Sequence, residues 1–438
     1  MPSQTKLELL MPAWNFEKMK YAIAYGADAV YAWVPMFSLR ARENQFTWES
    51  LAEAVTYCHD RGKKIYFTAN IYAHNIKIKP FMAAFAKMQA MKPDAYIMSD
   101  PGLISLVRES YPEAEIHLSV QANNTNWAQV KFWQKIGIKR VILSRELSLR
   151  EIREIHEQCP DMEIECFVHG SICMAYSGRC LLSNYFSRRD PNQGTCAHSC
   201  RWQYKVFKKD ASEEELYDST GRPEDYMPLD GEFYLEERER PGELLPIDED
   251  EYGTYIMNSR DICLLDYLQE MKDAGVISFK VEGRSKTINY LAWVGRAYRN
   301  ALDKVEQYLP YDSETLSREL FAISNRGYTP WFLVGDPGAN AIHYDKNAEL
   351  KEEDFVGIIR EYDELSGRMR VEVKNRFDLG DTLRLIGPET AEIYEVREIY
   401  DPEGNGKTAA HGWSFDIWMP ISHDPGEYTL LRKKVNNI

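Results

Sequence analysis

Residues 140–170 open with Arg140-Val141-Ile142-Leu143, continue through a stretch of helical period over 148–158, and return to Glu163-Ile164-Glu165-Cys166-Phe167-Val168. A short β-rich apolar run, a helix and a second β-rich run within about thirty residues make a βαβ unit, in which the helix carries the chain back and the strands lie parallel. The same alternation runs outward from this stretch. Towards the N-terminus, strands are expected at 7–11, 29–32, 64–69, 95–98 and 115–119, with helices near 15–25, 48–61, 78–91, 101–110 and 125–136. After a gap, a helix near 261–274, an eighth strand at 277–281 and a helix over 287–307 complete the series. Eight βα units predict an α/β fold, a closed (β/α)8 TIM-like barrel, with a doubly wound open sheet as the alternative.

The chain has 438 residues, 44% hydrophobic and 28% charged, so it can bury a large core without covalent staples, which excludes a disordered or fibrous protein. The gap from His169 to about Gly253 is far longer than an ordinary βα loop, and in a barrel it leaves from the face where active sites sit. From Asp312 to Lys351 the chain is turn-rich, with Asn325-Arg326-Gly327 and Asp336-Pro337-Gly338. Beyond it, segments 354–361, 368–375, 381–386, 392–399, 413–419 and 427–432 alternate apolar and polar residues between Gly, Pro and Asp, the pattern of a small all-β, barrel-like domain. The expected division is therefore a barrel domain over 1–310 carrying an insertion at 170–255, a linking wrap over 311–350, and a β domain over 351–438. No run of about 18 apolar residues occurs, and Met1-Pro2-Ser3-Gln4-Thr5-Lys6 has no signal-peptide character, so a soluble cytoplasmic protein with no membrane partner is expected.

A net charge of −15 argues against a nucleic-acid partner until its distribution is read. Residues 211–252 hold sixteen Asp and Glu against three Arg, which accounts for −13 of it. Residues 171–210 instead carry seven basic side chains, Arg179, Arg188, Arg189, Arg201, Lys205, Lys208 and Lys209, against Asp190 and Asp210. Both runs fit solvated faces, and the basic one equally fits a phosphate-binding surface.

Of eight cysteines, Cys58, Cys159, Cys166 and Cys263 sit singly in apolar or helical patterns and read as buried thiols. The other four fall together as Cys173-x6-Cys180-x15-Cys196-x3-Cys200. Four thiolates at such spacings can hold zinc or a [4Fe–4S] cluster. Structural zinc usually takes two tight pairs and only Cys196 and Cys200 form one, which leans towards iron–sulfur.

The strand ends bear polar residues where barrel chemistry is expected: Asn70, Ser99-Asp100, Ser119, Gln121, Arg145-Glu146, His169 and Glu282-Gly283-Arg284. Asp100 before Pro101 reads as a helix cap. His169, Glu282 and Arg284 end the seventh and eighth strands, where they could converge as base, acid and anion clamp, with Arg145 beside them; a satisfied histidine and a plain ion pair account for them equally well. Gly404-Asn405-Gly406-Lys407-Thr408 lacks the first glycine of a phosphate-binding loop, Asp401 standing in its place, and reads as a hairpin turn. Neither a zinc-protease helix nor a serine-hydrolase elbow occurs.

The run His169-Gly170-Ser171-Ile172-Cys173-Met174-Ala175-Tyr176-Ser177-Gly178-Arg179-Cys180-Leu181-Leu182-Ser183, with Gly194-Thr195-Cys196 and Cys200-Arg201-Trp202, resembles the signature of the U32 "collagenase-like peptidase" family. Lys280-Val281-Glu282-Gly283-Arg284 with Tyr290 and Tyr298-Arg299 matches its second signature, and Tyr25–Tyr31, Ser99–Gly102 and Ser119–Ala122 extend the likeness over nearly the whole chain. One departure is that Trp14 and Trp33 stand near the expected barrel mouth where the family usually has glycine.

The resemblance implies an iron–sulfur hydroxylation factor that works on tRNA without dioxygen, forming 5-hydroxyuridine at the wobble position, with prephenate as a possible co-substrate and an electron-donor protein as a possible partner. It carries Cys173, Cys180, Cys196 and Cys200 over as ligands of a [4Fe–4S] cluster. With the strand-end reading it gives His169, Glu282, Arg284 and Arg145 as the catalytic candidates. Asn70, Gln121, Tyr176, Arg179, Arg188, Arg189, Arg201 and Lys280 are the candidates for binding the tRNA anticodon arm and its target base. The alternatives are a U32-type peptidase and a non-catalytic iron–sulfur partner of another hydroxylase.

Overall fold

A computed structural model describes residues 6–39, 44–173, 175–193, 196, 199–201, 259–283, 286–335, 337, 352–412 and 416–435, and the backbone of five short strands between 207 and 255. Strands β1 (Glu8–Ala13), β2 (Ala29–Trp33), β3 (Lys64–Thr68), β4 (Ala95–Met98), β5 (Ile116–Leu118), β6 (Arg140–Ile142), β7 (Glu163–Gly170) and β8 (Val276–Val281) pair in parallel in sequence order. β8 bonds to both β7 and β1, which closes the barrel. Helices α1 (Phe16–Ala24), α2 (Trp48–His59), α3 (Asn75–Met91), α4 (Pro101–Ser110), α5 (Trp127–Lys135) and α6 (Leu149–Gln158) follow the first six strands. After β7 come α7 (Leu182–Ser187) and α8 (Leu268–Asp273), and α9 (Ile288–Glu306) follows β8.

Local chemistry sets these boundaries. Thr47 and Ser50, and Ser148 and Glu151, form reciprocal capping boxes at the starts of α2 and α6. Asp100 accepts the amides of Gly102 and Leu103 with Pro101 at the first helical position, so it is a cap, as its sequence context suggests. Every residue of β1 and β2 is buried, because helices cover one face and the barrel interior the other.

Inside the barrel the lower layer is ionic. Arg140 donates to Glu8, to Glu163 at 2.9 Å and to Glu165 at 3.3 Å; Lys280 donates to Glu165 at 2.8 Å. The Tyr66 hydroxyl and Ser278 Oγ donate to Glu8 at 2.6 and 2.8 Å. Burial pushes the Glu8 carboxyl up, but the Arg140 charge and these hydrogen bonds overcome it and leave it below its ordinary value. Above this layer the interior is aromatic and aliphatic: Leu10, Trp14, Tyr31, Trp33, Ile97, Ile142 and Phe167.

Three local features depart from the sequence reading. The expected linking wrap contains α10 (Ser313–Phe321), capped by Asp312, whose side chain accepts from the Thr315 amide at 3.0 Å. Asp261–Cys263 is a short strand, antiparallel to β7, too brief to show a period. In β7, Phe167 opposes Lys280 and His169 opposes Val281, so Val168 is an extra residue and the strand bulges there.

The C-terminal region is an antiparallel sheet of β9 (Glu353–Asp363), β10 (Arg368–Val373), β11 (Thr382–Ile386), β12 (Ala391–Glu395), β13 (Ile417–Pro420) and β14 (Leu430–Lys434), extended by the pairs 399–400 and 406–407. Ile399–Tyr400 pairs with Gly406–Lys407, so the glycine-rich run is a hairpin turn. Ile358, Ile386 and Leu430 pack into the same core as the outer barrel. The Tyr25 hydroxyl lies 2.7 Å from the Ile386 carbonyl and 2.9 Å from that of Tyr428. Arg432, fully buried, donates to the Ala322 carbonyl at 2.7 Å with its guanidinium 4.5 Å from the Trp293 ring centre. Among the described residues no helix is long and apolar enough to cross a membrane.

His117 on β5 and His169 on β7 are wholly buried, and burial, aided by the Arg140 and Lys286 charges respectively, holds each near pKa 3. An unfolded histidine titrates at about 6.5, so below that pH the unfolded chain binds protons the folded one refuses. Stability is then complete above about pH 6.5 and falls on acidification towards pH 3, by up to ~1.4 kcal/mol per pH unit for each ring. Urea unfolding at pH 7.5 and 5 should show this loss, and His117→Gln should remove one ring's share; equal pH dependence in both proteins would mean that the His117 ring is charged in the fold.

Candidate functional site

At the C-terminal mouth of the barrel lies a pocket of about 700 Å³. Tyr31, Trp33 and Phe167 form its aromatic walls, and Thr68, Asn70 and Lys280 its inner polar surface. Gln121 and Ser119 after β5, Arg145 after β6 and Glu282 after β8 line its rim. The loop after β7 closes over it and brings Cys173, Tyr176, Cys180, Cys196 and Cys200 to the same cavity.

The loop is held there by close approaches that only glycine permits. Gly170 has φ +109°, and a Cβ on it would meet the Glu282 carbonyl at 2.1 Å; Gly178 has φ +75°, and a Cβ would meet the Gln121 carbonyl at 2.1 Å. Between these points Ser171 is clamped twice: its carbonyl accepts from Arg145 at 2.9 Å and its hydroxyl accepts from Arg326 at 3.0 Å. Arg145 also pairs with Glu282 at 3.2 Å, and Arg326 with Asp261. Farther along, Asn192 donates to the Cys180 carbonyl at 3.3 Å, while its own carbonyl accepts from the Tyr72 amide at 3.4 Å.

Of the residues singled out in the sequence, Asn70, Gln121, Arg145, Tyr176, Lys280, Glu282 and the four clustered cysteines share this pocket. Asn70 is fixed by accepting from the Leu39 amide at 3.2 Å and donating to Ser119 Oγ at 3.1 Å. Tyr176 is 55% exposed at the entrance. Arg179, Arg188 and Arg189 are exposed outside the pocket, Arg188 capping α7 with φ +53°. The backbone of Arg201 belongs to a short turn at Ser199–Arg201, its side chain lies outside the description, and Arg284 lies outside the described residues.

His169 is a correction. Strict alternation along β7 would put it inside with Phe167, but the bulge at Val168 turns it outward. It is 1% exposed, packed among Tyr290, Tyr298 and Tyr328, with the Tyr298 hydroxyl 3.3 Å from Nδ1. A neutral ring sealed there does not reach the pocket and is no acid or base for a ligand in it.

The sequence reading missed Arg326 and Lys286, which line the pocket, and the role of Phe167 and Tyr31 as its walls. Inward alternation could have found the two rings; Arg326 sits in a turn whose local pattern says nothing of where it reaches. Trp14 and Trp33 do lie at the mouth, their rings stacked 4.4 Å apart and inclined by 21°, and Trp33 lines the cavity.

None of the eight cysteines is in a disulfide. Burial pushes the thiols of Cys58 up to about 12 and of Cys263 up to about 11, and raises Cys159 and Cys166 as well. These four are inert by environment, whereas the pocket four are partly or fully exposed. Among the described residues, no three His, Cys, Asp or Glu side chains converge closely enough to hold a single metal ion.

The fold and site define a (β/α)8 barrel protein whose mouth is roofed by a four-cysteine loop over an aromatic pocket. The chain belongs to peptidase family U32: the family pattern matches residues 14–343, and that of the family's C-terminal domain matches residues 351–432. A tRNA hydroxylation protein P of Escherichia coli is 44% identical, the match covering 98% of this chain and 97% of that one. A collagenase of Porphyromonas gingivalis is 30% identical over 90% of this chain and 89% of its own length. A 23S rRNA 5-hydroxycytidine synthase of Escherichia coli is 32% identical over 77% of this chain and 47% of its own length.

The roof predicts its own weak point. Gly178→Ala should lower the urea midpoint and speed tryptic cleavage after Arg179, since the new methyl group must displace the Gln121 carbonyl. Gly62→Ala, at φ +63° with nothing within 4 Å, should cost only the left-handed backbone penalty of about 1–2 kcal/mol. Equal behaviour of the two variants in both measurements would show that the roof is not seated on Gln121.

Proposed function

We propose that this protein hydroxylates RNA, taking a tRNA pyrimidine into the mouth pocket and forming 5-hydroxyuridine at the wobble position without dioxygen. The observation that carries this reading is the convergence of Cys173, Cys180, Cys196 and Cys200 on one aromatic-walled pocket in a chain whose relatives include both a tRNA and an rRNA hydroxylation protein. Four partly or fully exposed thiols lining one pocket fit the donor set of a [4Fe–4S] cluster, which spreads its thiolates over four irons rather than focusing them on one. When bound, such a cluster supplies redox or Lewis-acid chemistry at the pocket.

The chain's own residues do the rest. Tyr31, Trp33 and Phe167 offer flat apolar faces to an unstacked base and keep water from it. Asn70 and Gln121 present amide groups to the edge of the base, and Lys280 a cation. Tyr176, half-exposed at the entrance, offers a ring on which a neighbouring base of the anticodon arm can stack. Arg179, Arg188, Arg189 and Arg201 fall on the segment that meets phosphates. The cations Lys286 and Arg326 also suit an organic anion such as prephenate as co-substrate. Replacing the carbon 5 hydrogen by hydroxyl with oxygen from water removes two electrons from the base, so a redox role for the cluster requires a protein that accepts them. Peptidase activity has the family name in its support, yet among the described residues no histidine lines the pocket.

Anaerobically purified protein should be brown, with about four irons per chain. Cys173→Ala, Cys180→Ala, Cys196→Ala and Cys200→Ala should each lose iron and, in a deletion strain, fail to restore 5-hydroxyuridine by nucleoside mass spectrometry. Stoichiometric zinc would overturn the cluster, and unchanged 5-hydroxyuridine in the deletion strain would overturn the reaction.

Binding to tRNA should weaken with salt, the log–log slope falling by roughly one for each phosphate contact removed. Arg188→Glu with Arg189→Glu should lower both affinity and slope at unchanged iron content; if neither moves, the segment is a solvated face.

A further inference from the structure

Three of the pocket's cations belong to ion pairs, and they differ in what the partner leaves open. Arg145 and Arg326 are committed to Glu282 and Asp261 and to the two sides of Ser171. Lys280 instead rises from the barrel wall, 3% exposed, with Nζ 2.8 Å from Glu165 Oε1, 4.3 Å from the centre of the Tyr31 ring and 5.4 Å from that of Phe167. An ammonium carries three N–H bonds, and among the described residues Glu165 is the only hydrogen-bond acceptor that Nζ has. Both neighbouring rings are pocket walls. A flat ring lying against them meets an unspent, water-shielded donor.

Glu165 is fitted to hold that donor. It is fully buried, and its second oxygen accepts from Arg140 at 3.3 Å and lies 3.4 Å from Ser278 Oγ. The carboxylate is thus fixed from below and faces Lys280 from the side away from the pocket.

We infer that Lys280 is a catalytic residue of the pyrimidine reaction proposed above, donating from Nζ to a ring carbonyl oxygen of the bound base, and that Glu165 is the positioning residue that keeps this lysine charged and aimed. The inference rests on that reading of the pocket. The carbon 5–carbon 6 double bond of uracil is conjugated with the carbonyl at carbon 4, so a charged donor on that oxygen polarises the reacting bond, and in a dry site it does so strongly.

The charged and titratable groups facing Lys280 are Glu165 from β7, Glu282 beyond the end of its own strand, Arg140 from β6, His117 from β5 and Tyr31 from β2. Burial lowers the Lys280 pKa, and Glu165 is the strongest opposing influence. Neutralising Glu165 therefore brings deprotonation of Lys280, and the falling limb of a pH–rate profile, to lower pH.

The test uses full-length, iron-loaded protein and tRNA from a deletion strain. Lys280→Met should cut hydroxylation at least about a hundredfold, far more than it lowers tRNA affinity and with iron content unchanged, and Lys280→Arg should recover part of it. Glu165→Gln should keep activity at low pH and lose it at a lower pH than the parent. Normal turnover of Lys280→Met, or an unshifted profile in Glu165→Gln, overturns the inference. Wild-type protein carrying 13C-lysine gives a readout that no folding defect can affect. Uridine 5′-monophosphate should move the Lys280 Cε signal, identified by its absence from Lys280→Arg; no binding, or binding that leaves the signal in place, also overturns the inference. Movement of Lys280 without hydroxylation of tRNA by the wild type would instead overturn the reaction while leaving Lys280 as the cation that meets the base.

Discussion

A charge buried without a partner is more costly than almost any other error a fold can make, and this barrel buries four in one layer: Glu8, Arg140, Glu165 and Lys280. They are tolerable because they neutralise one another with hydrogen bonds from Tyr66 and Ser278. Removing one partner from such a set typically costs about 3–5 kcal/mol, whereas replacing the whole set by apolar residues is often neutral, so what the network secures is arrangement more than stability. The four side chains come from β1, β6, β7 and β8, the strands on both sides of the closure. A slip of register by one residue would turn every one of them to the wrong face. The layer therefore fixes how the barrel closes, and with it which residues of β7 and β8 arrive at the mouth.

What arrives there is a loop fastened at both ends of its first segment. Gly170 touches the chain after β8, Gly178 touches the turn after β5, and Ser171 is gripped by arginines from opposite sides of the pocket. Cys173 is two residues from that grip. The roof is accordingly part of the barrel's own packing, and the ion pairs Arg145–Glu282 and Arg326–Asp261 serve the loop as much as any ligand.

Much of this was legible in the sequence, for physical reasons that can be named. The strands are buried on both faces and read as apolar runs, Asp100 before Pro101 marks a helix start, and strand ends in a barrel face one place, so Asn70, Gln121, Arg145 and Glu282 could be assigned to one site. His169 misled because alternation is reliable only while the ladder is regular, and one extra residue at Val168 reversed it. Helix α10 was hidden behind the turn signals that follow it, and the strand Asp261–Cys263 is too short to carry a pattern. The ionic layer was the least legible part. A Glu, Arg or Lys within a strand reads as an edge or a solvent-facing position, and only the closed barrel shows that all four point at one another. Arg326 reaches the site from a turn more than a hundred and fifty residues away from Ser171, a contact no local pattern encodes.

The stacked indoles of Trp14 and Trp33 give the molecule an optical property of its own. Two such rings 4.4 Å apart and nearly parallel couple their electronic transitions, so they absorb and emit as a pair rather than as two independent chromophores. One member of the pair forms a wall of the cavity and the other, 2% exposed, is shielded behind it. Anything that enters and presses on Trp33 alters the geometry of the pair, and the near-ultraviolet circular dichroism of the unlabelled protein then registers occupancy of the pocket directly, without an isotope, a dye or a mutation.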